Sequence, residues 1–424
     1  MSLADKASLL LIPTGYKSQK VYSIFPTDGV GDFDFSRSSS ATRIAKNGLI
    51  TTVAANVPRL EYPMIDGVVN GCPSLILEPQ RTNLITNSES LSNFVKSNIT
   101  EVSGNQVTPD GTLGSIKITP TSSSLAQIQK TSLTVGSAYS ISFFVKKDEA
   151  SHLIINQAGS AATRVSYDID NLTYIGIAGV NANIVSYGNG WSRIEYSVDS
   201  LTYNNIRILL SNGTGVYPYN PPVGDGLYIW GFQIEQNSYP TSYIPTTTAI
   251  ATRSAETATD SGDATTFSDS EGVLMAEIST DSEDTYKYLS INNGTPTGNQ
   301  TRVALGYYGS TLYPNVRVSN VHQFSEAFSV NPTLNNKIAL KYKTNDFALW
   351  VNGFEVLESN SGSTFSDGTL SKFDFDDGAS SSDFYGKTKQ LQYYNSALTD
   401  SELEKISSWT SFTDMAQGQL YTIE

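Results

Sequence analysis

The sequence predicts an all-β protein made of tandem antiparallel sandwiches. Charged residues make up 16% of the 424 residues, whereas glycine (32) and tyrosine (24) are abundant. This composition suits short strands and tight turns better than long surface helices. Apolar and polar residues alternate in several segments, for example at 139–143 and 194–198, and such alternation indicates half-buried strands. The crossover helices that a parallel sheet needs have no counterpart between these segments.

The length and texture of the chain predict its division into parts. A chain of 424 residues is too long for one ordinary core and indicates two or three domains. An irregular, turn-rich module occupies residues 1–88, and the alternating segments of 89–250 predict a jelly-roll sandwich. Residues 251–262 are small, polar and free of aromatic side chains, which predicts a linker. Strand patterns resume after the linker and predict a second sandwich at 263–424.

Local patterns predict the elements of the second sandwich. Strands are expected at four alternating segments: 273–278, 286–291, 302–308 and 337–343. The pair Asn352-Gly353 between two β-rich runs predicts a two-residue hairpin, because both central residues of that turn need a positive φ. One short helix is predicted from Thr399, since Thr399 and Glu402 match a capping box. We expect this helix to cover an end of the sandwich.

The N-terminal module carries an unusual share of the arginines and the single cysteine. Its four arginines are Arg37, Arg43, Arg59 and Arg81. Ion pairs within the module are the favoured interpretation, and contact with an acidic neighbour is the alternative. Because Cys72 is alone, no intrachain disulfide can form, and we expect a buried structural thiol. The lack of disulfides fits synthesis in a reducing cytosol.

The charge of the chain argues against two classes of partner. Its 27 basic and 41 acidic residues give a net charge of −14. Binding to nucleic acids or anionic membranes uses clustered lysine and arginine, and no such cluster is visible. The longest early apolar run, residues 9–12, is too short for a signal-peptide core, and no run is long enough to span a bilayer. We therefore expect neither a nucleic-acid partner nor membrane insertion.

Residues for catalysis are scarce. The two histidines, His152 and His322, lie in contexts that suggest no carboxylate to orient them for a Ser-His-Asp site. The pair Gly386-Lys387 lacks the preceding glycines of a phosphate-binding loop. The sequence therefore predicts a protein that is not an enzyme, with both histidines in ordinary strand or loop positions.

Tyrosines are the candidate ligand-binding residues. Sugar binding uses exposed aromatic rings for the apolar face of a sugar, with amides and carboxylates nearby for its hydroxyl groups. The candidates lie in two turn-rich segments: Tyr217, Tyr219, Tyr307, Tyr308 and Tyr313. Packing of these rings over loop backbones is the alternative. The tryptophans in strand patterns are predicted to belong to the core: Trp191, Trp230 and Trp350.

Long motifs stand out in the first 255 residues. In the N-terminal module they are RSSSATR (37–43), NGLI (47–50), NVPR (56–59) and CPSLILEPQRTNL (72–84). Together they resemble the N-terminal module of a family of phage structural and tail- or head-fibre proteins. The run LYIWGFQIEQ (227–236), followed by TSYIPT (241–246), resembles the last strand and exit of the carbohydrate-binding-like sandwich that follows in such proteins.

A further motif lies near the C-terminus. The run GKTKQLQYYNSAL (386–398) is similar to the final strand and turn of concanavalin-like or laminin-G-like lectin domains, with departures at Thr388 and Ser396. Lectin-like sandwiches often hold calcium, so this resemblance makes the acidic loop with Asp374, Asp376 and Asp377 a candidate calcium site. A solvated loop without metal is the alternative, and no other cofactor is expected.

These resemblances imply a function on the surface of a bacteriophage particle. A tail or head fibre made in the host cytoplasm would attach to other virion proteins through its N-terminal module and present lectin-like modules to host-surface glycans. Weak sites on many copies gain avidity, so a homodimer or homotrimer is expected. Two alternatives stay open at this point: a purely architectural decoration, head-fibre or tail component, and a polysaccharide depolymerase with two close carboxylates in a cleft.

Overall fold

The computed structural model describes residues 3–158, 160–177, 179–213, 221–282, 285–295, 300–411 and 415. Within these residues nearly all regular structure is β, with two single-turn 3₁₀ helices (Ala4–Lys6 and Ala161–Thr163) and one α-helix longer than a turn. The all-β prediction is confirmed. No helix in the described residues is long and apolar enough to cross a membrane.

The strands and the helix follow in chain order. Up to residue 88 they are β1 (Leu9–Leu11), β2 (Tyr16–Lys17), β3 (Lys20–Val21), β4 (Phe33–Ser36), β5 (Ala41–Ile44), β6 (Ile50–Val53), β7 (Arg59–Glu61), β8 (Met64–Ile65), β9 (Val68–Val69), β10 (Ser74–Leu77) and β11 (Arg81–Asn83). Between residues 89 and 250 they are β12 (Val95–Ser97), β13 (Ile99–Ser103), β14 (Ile116–Pro120), β15 (Gln127–Thr131), β16 (Tyr139–Lys147), β17 (His152–Asn156), β18 (Val165–Asp168), β19 (Thr173–Ile175), β20 (Val180–Gly188), β21 (Trp191–Val198), β22 (Asn205–Ser211) and β23 (Leu227–Glu235). Beyond residue 250 they are β24 (Ala251–Arg253), β25 (Thr257–Thr259), β26 (Glu271–Thr280), β27 (Lys287–Asn292), β28 (Arg302–Tyr308), β29 (Thr311–Val318), β30 (Val321–Phe324), β31 (Phe328–Ser329), β32 (Asn336–Lys343), β33 (Phe347–Val351), β34 (Phe354–Ser359), β35 (Lys372–Asp374), β36 (Gly386–Tyr394) and α1 (Asp400–Ser407).

The middle sandwich consists of two six-stranded antiparallel sheets. Sheet 1 has the order β12-β15-β22-β17-β18-β19, and sheet 2 has the order β13-β14-β23-β16-β21-β20. The alternating side chains that predicted these strands form one buried cluster between the sheets, with Phe143 and Ile194 from sheet 2 and Tyr167 and Ile208 from sheet 1. The period-two prediction is confirmed here. Trp191 and Trp230, predicted as core, are each 1% exposed and pack in an aromatic cluster outside this core.

The C-terminal sandwich also consists of two antiparallel sheets. Sheet 3 has the order β34-β33-β32-β26-β36-β10-β7, with β1 also paired to β36, and sheet 4 has the order β30-β29-β28-β27-β35, with β31 paired to β29. The predicted hairpin is present between β33 and β34, and both Asn352 and Gly353 have positive φ. The predicted helix is present as α1, where the Thr399 N–H donates to the Glu402 carboxylate at 3.0 Å. Leu403 of α1 packs on the outer face of sheet 3 beside Trp350.

The N-terminal segment is part of the C-terminal sandwich, and the predicted division at residue 88 does not describe it. Strands β1 and β10 pair with β36, and β7 extends the same sheet from β10. Phe33 and Phe35 of β4 join the core of this sandwich. Short strands without partners of their own cannot bury their apolar faces, and a longer sheet edge supplies the missing partner. The pattern within a short segment does not show which distant strand it will pair with.

The predicted linker at 251–262 is wrong, since this stretch contributes two strands. Strand β24 pairs with β11, and β25 pairs with β4. The small threonine and alanine side chains of this stretch, which resemble a linker in composition, lie beside strands of the N-terminal segment. Cys72 also differs from its prediction. It lies in the turn between β9 and β10 and is exposed rather than buried.

A buried network of charges joins the N-terminal segment to β24 and β25. The Glu256 carboxylate accepts from Arg37 Nη1 at 2.6 Å and Arg59 Nε at 2.8 Å. The Glu78 carboxylate pairs with Arg59 Nη2 at 2.7 Å and with Arg253 Nη1 at 2.8 Å. All five side chains are at most 3% exposed. Arg37 and Arg59 therefore form intramolecular ion pairs, as predicted, but one acidic partner lies outside the predicted module.

Candidate functional site

The predicted tyrosines of strand β28 point in opposite directions. Tyr307 is 2% exposed and lies in the sandwich core with Leu305 and Val303. Tyr308, the next residue, is 45% exposed and lies on the outer face of sheet 4. Successive side chains of a strand alternate between the two faces of the sheet, so both could not be surface ligands. The prediction of Tyr307 as a ligand residue is therefore wrong.

Four tyrosine rings gather at one end of the outer face of sheet 4. Tyr286 is 47% exposed and stacks on Tyr308 with ring centroids 4.3 Å apart and planes 17° apart. The Tyr288 ring lies 6.1 Å from that of Tyr286 at 10°, and the Tyr313 ring lies 6.3 Å from it at 53°. We call these four residues the tyrosine face.

Strand register and one glycine place these rings. Tyr288 of β27, Gly306 of β28 and Tyr313 of β29 lie side by side across the sheet. A Cβ atom at Gly306 would lie 2.0 Å from the Tyr288 ring, so the ring crosses the space where a side chain would stand. Substitution of Gly306 would push the ring away. The absence of a side chain at Gly306 therefore leaves the space on the sheet that the Tyr288 ring occupies.

Buried polar side chains follow the tyrosine face along the same side of sheet 4. Arg302 lies 4.9 Å above the centroid of the Tyr288 ring and donates from Nε to the Asn315 side chain at 3.1 Å. Asn292, opposite Arg302 on β27, donates to the Asp374 carboxylate at 2.9 Å. Amide, carboxylate and guanidinium groups thus adjoin the aromatic rings. These polar residues are at most 5% exposed and are bonded to protein partners. The part of this surface that is open to a ligand is therefore the exposed stack of Tyr286 and Tyr308, which offers an apolar platform.

The sequence found part of this face. It identified Tyr308 and Tyr313 and missed Tyr286 and Tyr288, although the predicted strand at 286–291 places those two on one side. The missing information was the pairing of β27 with β28. The other candidates, Tyr217 and Tyr219, lie outside the described residues.

In the acidic loop predicted to bind calcium, the carboxylates contact donor groups of the protein itself. Asp374 accepts from the Asp260 N–H at 2.7 Å and pairs with Lys372 at 3.1 Å. Asp377 accepts from the Ser381 hydroxyl at 3.0 Å, and Asp376 accepts from the Gly378 N–H at 2.6 Å. Burial raises the pKa of Asp376 to about 6, and the neighbouring Asp374 and Asp377 carboxylates add to this shift.

These contacts do not assemble a ligand set for calcium. Across the described ranges, no group of three histidine, cysteine, aspartate or glutamate side chains is placed to hold a metal ion. Calcium needs about six to eight oxygen ligands, whereas the carboxylates of Asp374, Asp376 and Asp377 are turned toward protein donors. The three residues are at most 8% exposed, so the alternative of a solvated loop does not describe them either.

The histidines occupy strands, as predicted, but His152 has a carboxylate neighbour that the sequence did not indicate. Its Nε2 lies 3.5 Å from Asp168 on the paired strand β18, and its Nδ1 lies 3.0 Å from the Ser151 hydroxyl. Asp168 is also engaged by the Asn171 side chain at 2.7 Å. A histidine acting as a base bonds to the nucleophile and the carboxylate at about 2.6–3.2 Å, and the contact to Asp168 is longer.

A cavity of about 930 Å³ separates the two sandwiches. One wall is the outer face of sheet 2, with Asn183 and Glu195, and the other is the outer face of sheet 3, with Glu61 and Lys387. Residues 62–64 and 238–243 close its sides. Neither histidine is among the residues that line it. We call this cavity the inter-sandwich cleft.

The fold is that of an all-β protein of two sandwiches, with a group of tyrosine rings on the outer face of one of them. No known family model and no curated protein matches the chain. Among solved structures it is similar to the CBM40 of the Ruminococcus gnavus IT-sialidase, with a TM-score of 0.30, 19% identity, and coverage of 35% of this chain and 92% of that one. It is also similar to the mouse laminin alpha1 chain domains LG4-5, with a TM-score of 0.23, 10% identity, and coverage of 66% and 89%. At these TM-scores the similarities carry no argument about function.

Proposed function

We propose that this protein is a non-enzymatic, glycan-binding protein of the bacteriophage surface, and that the tyrosine face is its glycan site. The supporting observation is the exposed stack of Tyr286 on Tyr308. Sugars carry an apolar face of C–H groups and a rim of hydroxyls. An exposed ring stack matches the apolar face of a sugar.

The location on a virion rests on the motifs of the N-terminal segment and on no contact in the fold. Several residues of those motifs, among them Arg37, Arg59 and Glu78, form the buried charge network. The motif residues therefore have a structural role, since they hold the segment against Arg253 and Glu256. The exposed loops of the segment are the part that would contact other virion proteins, and assembly as a dimer or trimer would multiply the glycan sites.

The tyrosine face is tested by removing its rings one at a time. We expect Tyr308→Ala and Tyr286→Ala each to weaken glycan binding about tenfold, because half-burying an aromatic side chain contributes roughly 1.5 kcal/mol. The measurement is an array of neutral, amino and acidic bacterial surface oligosaccharides, followed by calorimetry on the tightest ligand. Thermal melting of each variant checks that it folds.

The matched control is Tyr174→Ala, which removes a ring of similar exposure, 46%, from the edge of sheet 1. Its affinity should equal that of the unmodified protein. If no oligosaccharide binds, or if all three variants bind equally well, the proposal fails and an architectural role is favoured.

A further inference from the structure

The inter-sandwich cleft has the size and the lining of a ligand site that is separate from the tyrosine face. Its volume of about 930 Å³ falls within the roughly 300–1,000 Å³ of typical ligand pockets. Its walls come from the outer faces of two sheets that belong to different sandwiches. The side chains that line these walls indicate which class of ligand the cleft binds.

Most acidic groups of the cleft are neutralised by a neighbouring cation. Glu61 pairs with Lys387 at 3.0 Å, and Glu195 lies 3.4 Å from Arg193. The Glu78 carboxylate at the cleft margin belongs to the buried network described above. In each of these pairs the positive and negative charges neutralise each other, so the pairs attract a free ion only weakly.

Asp281 differs from these groups. Its Oδ2 is buried at the cleft wall and has no hydrogen-bond partner among the described residues. Burial and the nearby Glu78 and Glu61 carboxylates raise the pKa of Asp281 to about 6, against the opposing effect of Lys387. A buried carboxylate oxygen without a partner is costly, and a ligand that brings a positive charge would remove that cost.

The remaining lining suits hydroxyl groups and a sugar ring. Asn181 and Asn183 of β20 are exposed and line one wall. Tyr62 and Tyr239 line the sides of the cleft. Side-chain amides donate to and accept from hydroxyls, and tyrosine rings pack against C–H groups.

We propose that the inter-sandwich cleft binds an amine-bearing sugar, with the ammonium group paired to Asp281 and the hydroxyls bound by the Asn181 and Asn183 amides. A metal cation fits less well, because the described residues offer no three-carboxylate group and one carboxylate suits an ammonium with its three donors. A simple polyamine would leave the wall amides without partners. This site does not depend on the tyrosine face being a glycan site.

The test uses the glucosamine tetramer as a probe and its N-acetylated counterpart as the neutral control. At pH 7 the Asp281 carboxylate is mostly ionised, since its pKa is about 6. We expect the full-length protein to bind the amine form at least tenfold more tightly, and Asp281→Asn to abolish that preference. Loss of a charge-assisted hydrogen bond of roughly 1.5–3 kcal/mol gives a change of this size.

Two control variants separate this site from other effects. Asp367→Asn removes the same charge from an exposed loop and should leave the preference intact, which rules out attraction to the net negative chain. Tyr308→Ala should also leave it intact, which separates it from the tyrosine face. The proposal is overturned if the amine form shows no saturable binding up to millimolar concentration. It is equally overturned if Asp281→Asn and Asp367→Asn bind it alike.

Discussion

Replacing Glu256 by glutamine is expected to lower the free energy of unfolding by about 3–5 kcal/mol, because a broken buried ion pair leaves uncompensated charge behind. The Glu256 carboxylate accepts from Arg37 and Arg59 and also from the Glu78 N–H at 2.9 Å. Glutamine has the same shape but offers one acceptor oxygen and no charge. Three buried guanidinium groups, those of Arg37, Arg59 and Arg253, would then face the single Glu78 carboxylate.

Urea denaturation at pH 7 measures this effect, with Glu358→Gln as the control at an exposed position. The control should change the unfolding free energy by less than about 0.5 kcal/mol. A similar small change for Glu256→Gln would contradict the role given to the network.

The network also makes stability depend on pH. Burial alone would raise the pKa of Glu78, but Arg253 and Arg59 hold it well below its ordinary value of 4.5. An acid whose folded pKa is depressed contributes stability above its unfolded pKa and loses it as the pH falls further. The free energy of unfolding of the unmodified protein, measured in urea, should therefore fall as the pH is lowered below the ordinary Glu78 pKa of 4.5.

Replacing Phe33 by alanine is expected to destabilise the C-terminal sandwich by about 3–5 kcal/mol, the usual cost of removing a buried phenylalanine. Phe33 is fully buried, and its ring lies 5.5 Å from that of Phe373 and 5.2 Å from that of Phe375. A cavity would open between the N-terminal segment and strand β35. Hydrogen exchange should show faster opening of the amides in β27 and β35, far from Phe33 in sequence.

The same substitution at Phe354, which is 73% exposed, is the control and should leave exchange in those strands unchanged. If Phe33→Ala loosened only residues of the N-terminal segment, the segment would be an independent module, as its sequence texture predicts. Faster exchange in β27 would instead confirm one shared core.

Local sequence patterns predicted those elements whose cause is local. The alternation around Phe143 and Ile194 sets which side chains face the middle core, and positive φ at Asn352 and Gly353 sets the hairpin. The pairing of β1 and β10 with β36 has a different cause, since it joins the two ends of the chain. The choice of partner there depends on which edges are free after the sandwich forms.

At the proposed binding surfaces, too, local sequence patterns do not predict contacts between distant segments. Tyr308 was identified within its own segment, whereas its stacking on Tyr286 follows from the register of β27 and β28. Glu256 and Asp281 have no local pattern that reveals their partners. The inter-sandwich cleft likewise follows from how two sheets face each other, which no single segment encodes.

Fluorine NMR of protein labelled with fluorotyrosine tests the role of the tyrosine face most directly. Tyr286→Phe and Tyr308→Phe assign their two resonances among the 24 tyrosines of the chain. During titration with the tightest oligosaccharide from the array, both resonances should shift and saturate at the dissociation constant found by calorimetry. Saturable binding that leaves both resonances in place would contradict the assignment of the glycan site to this face.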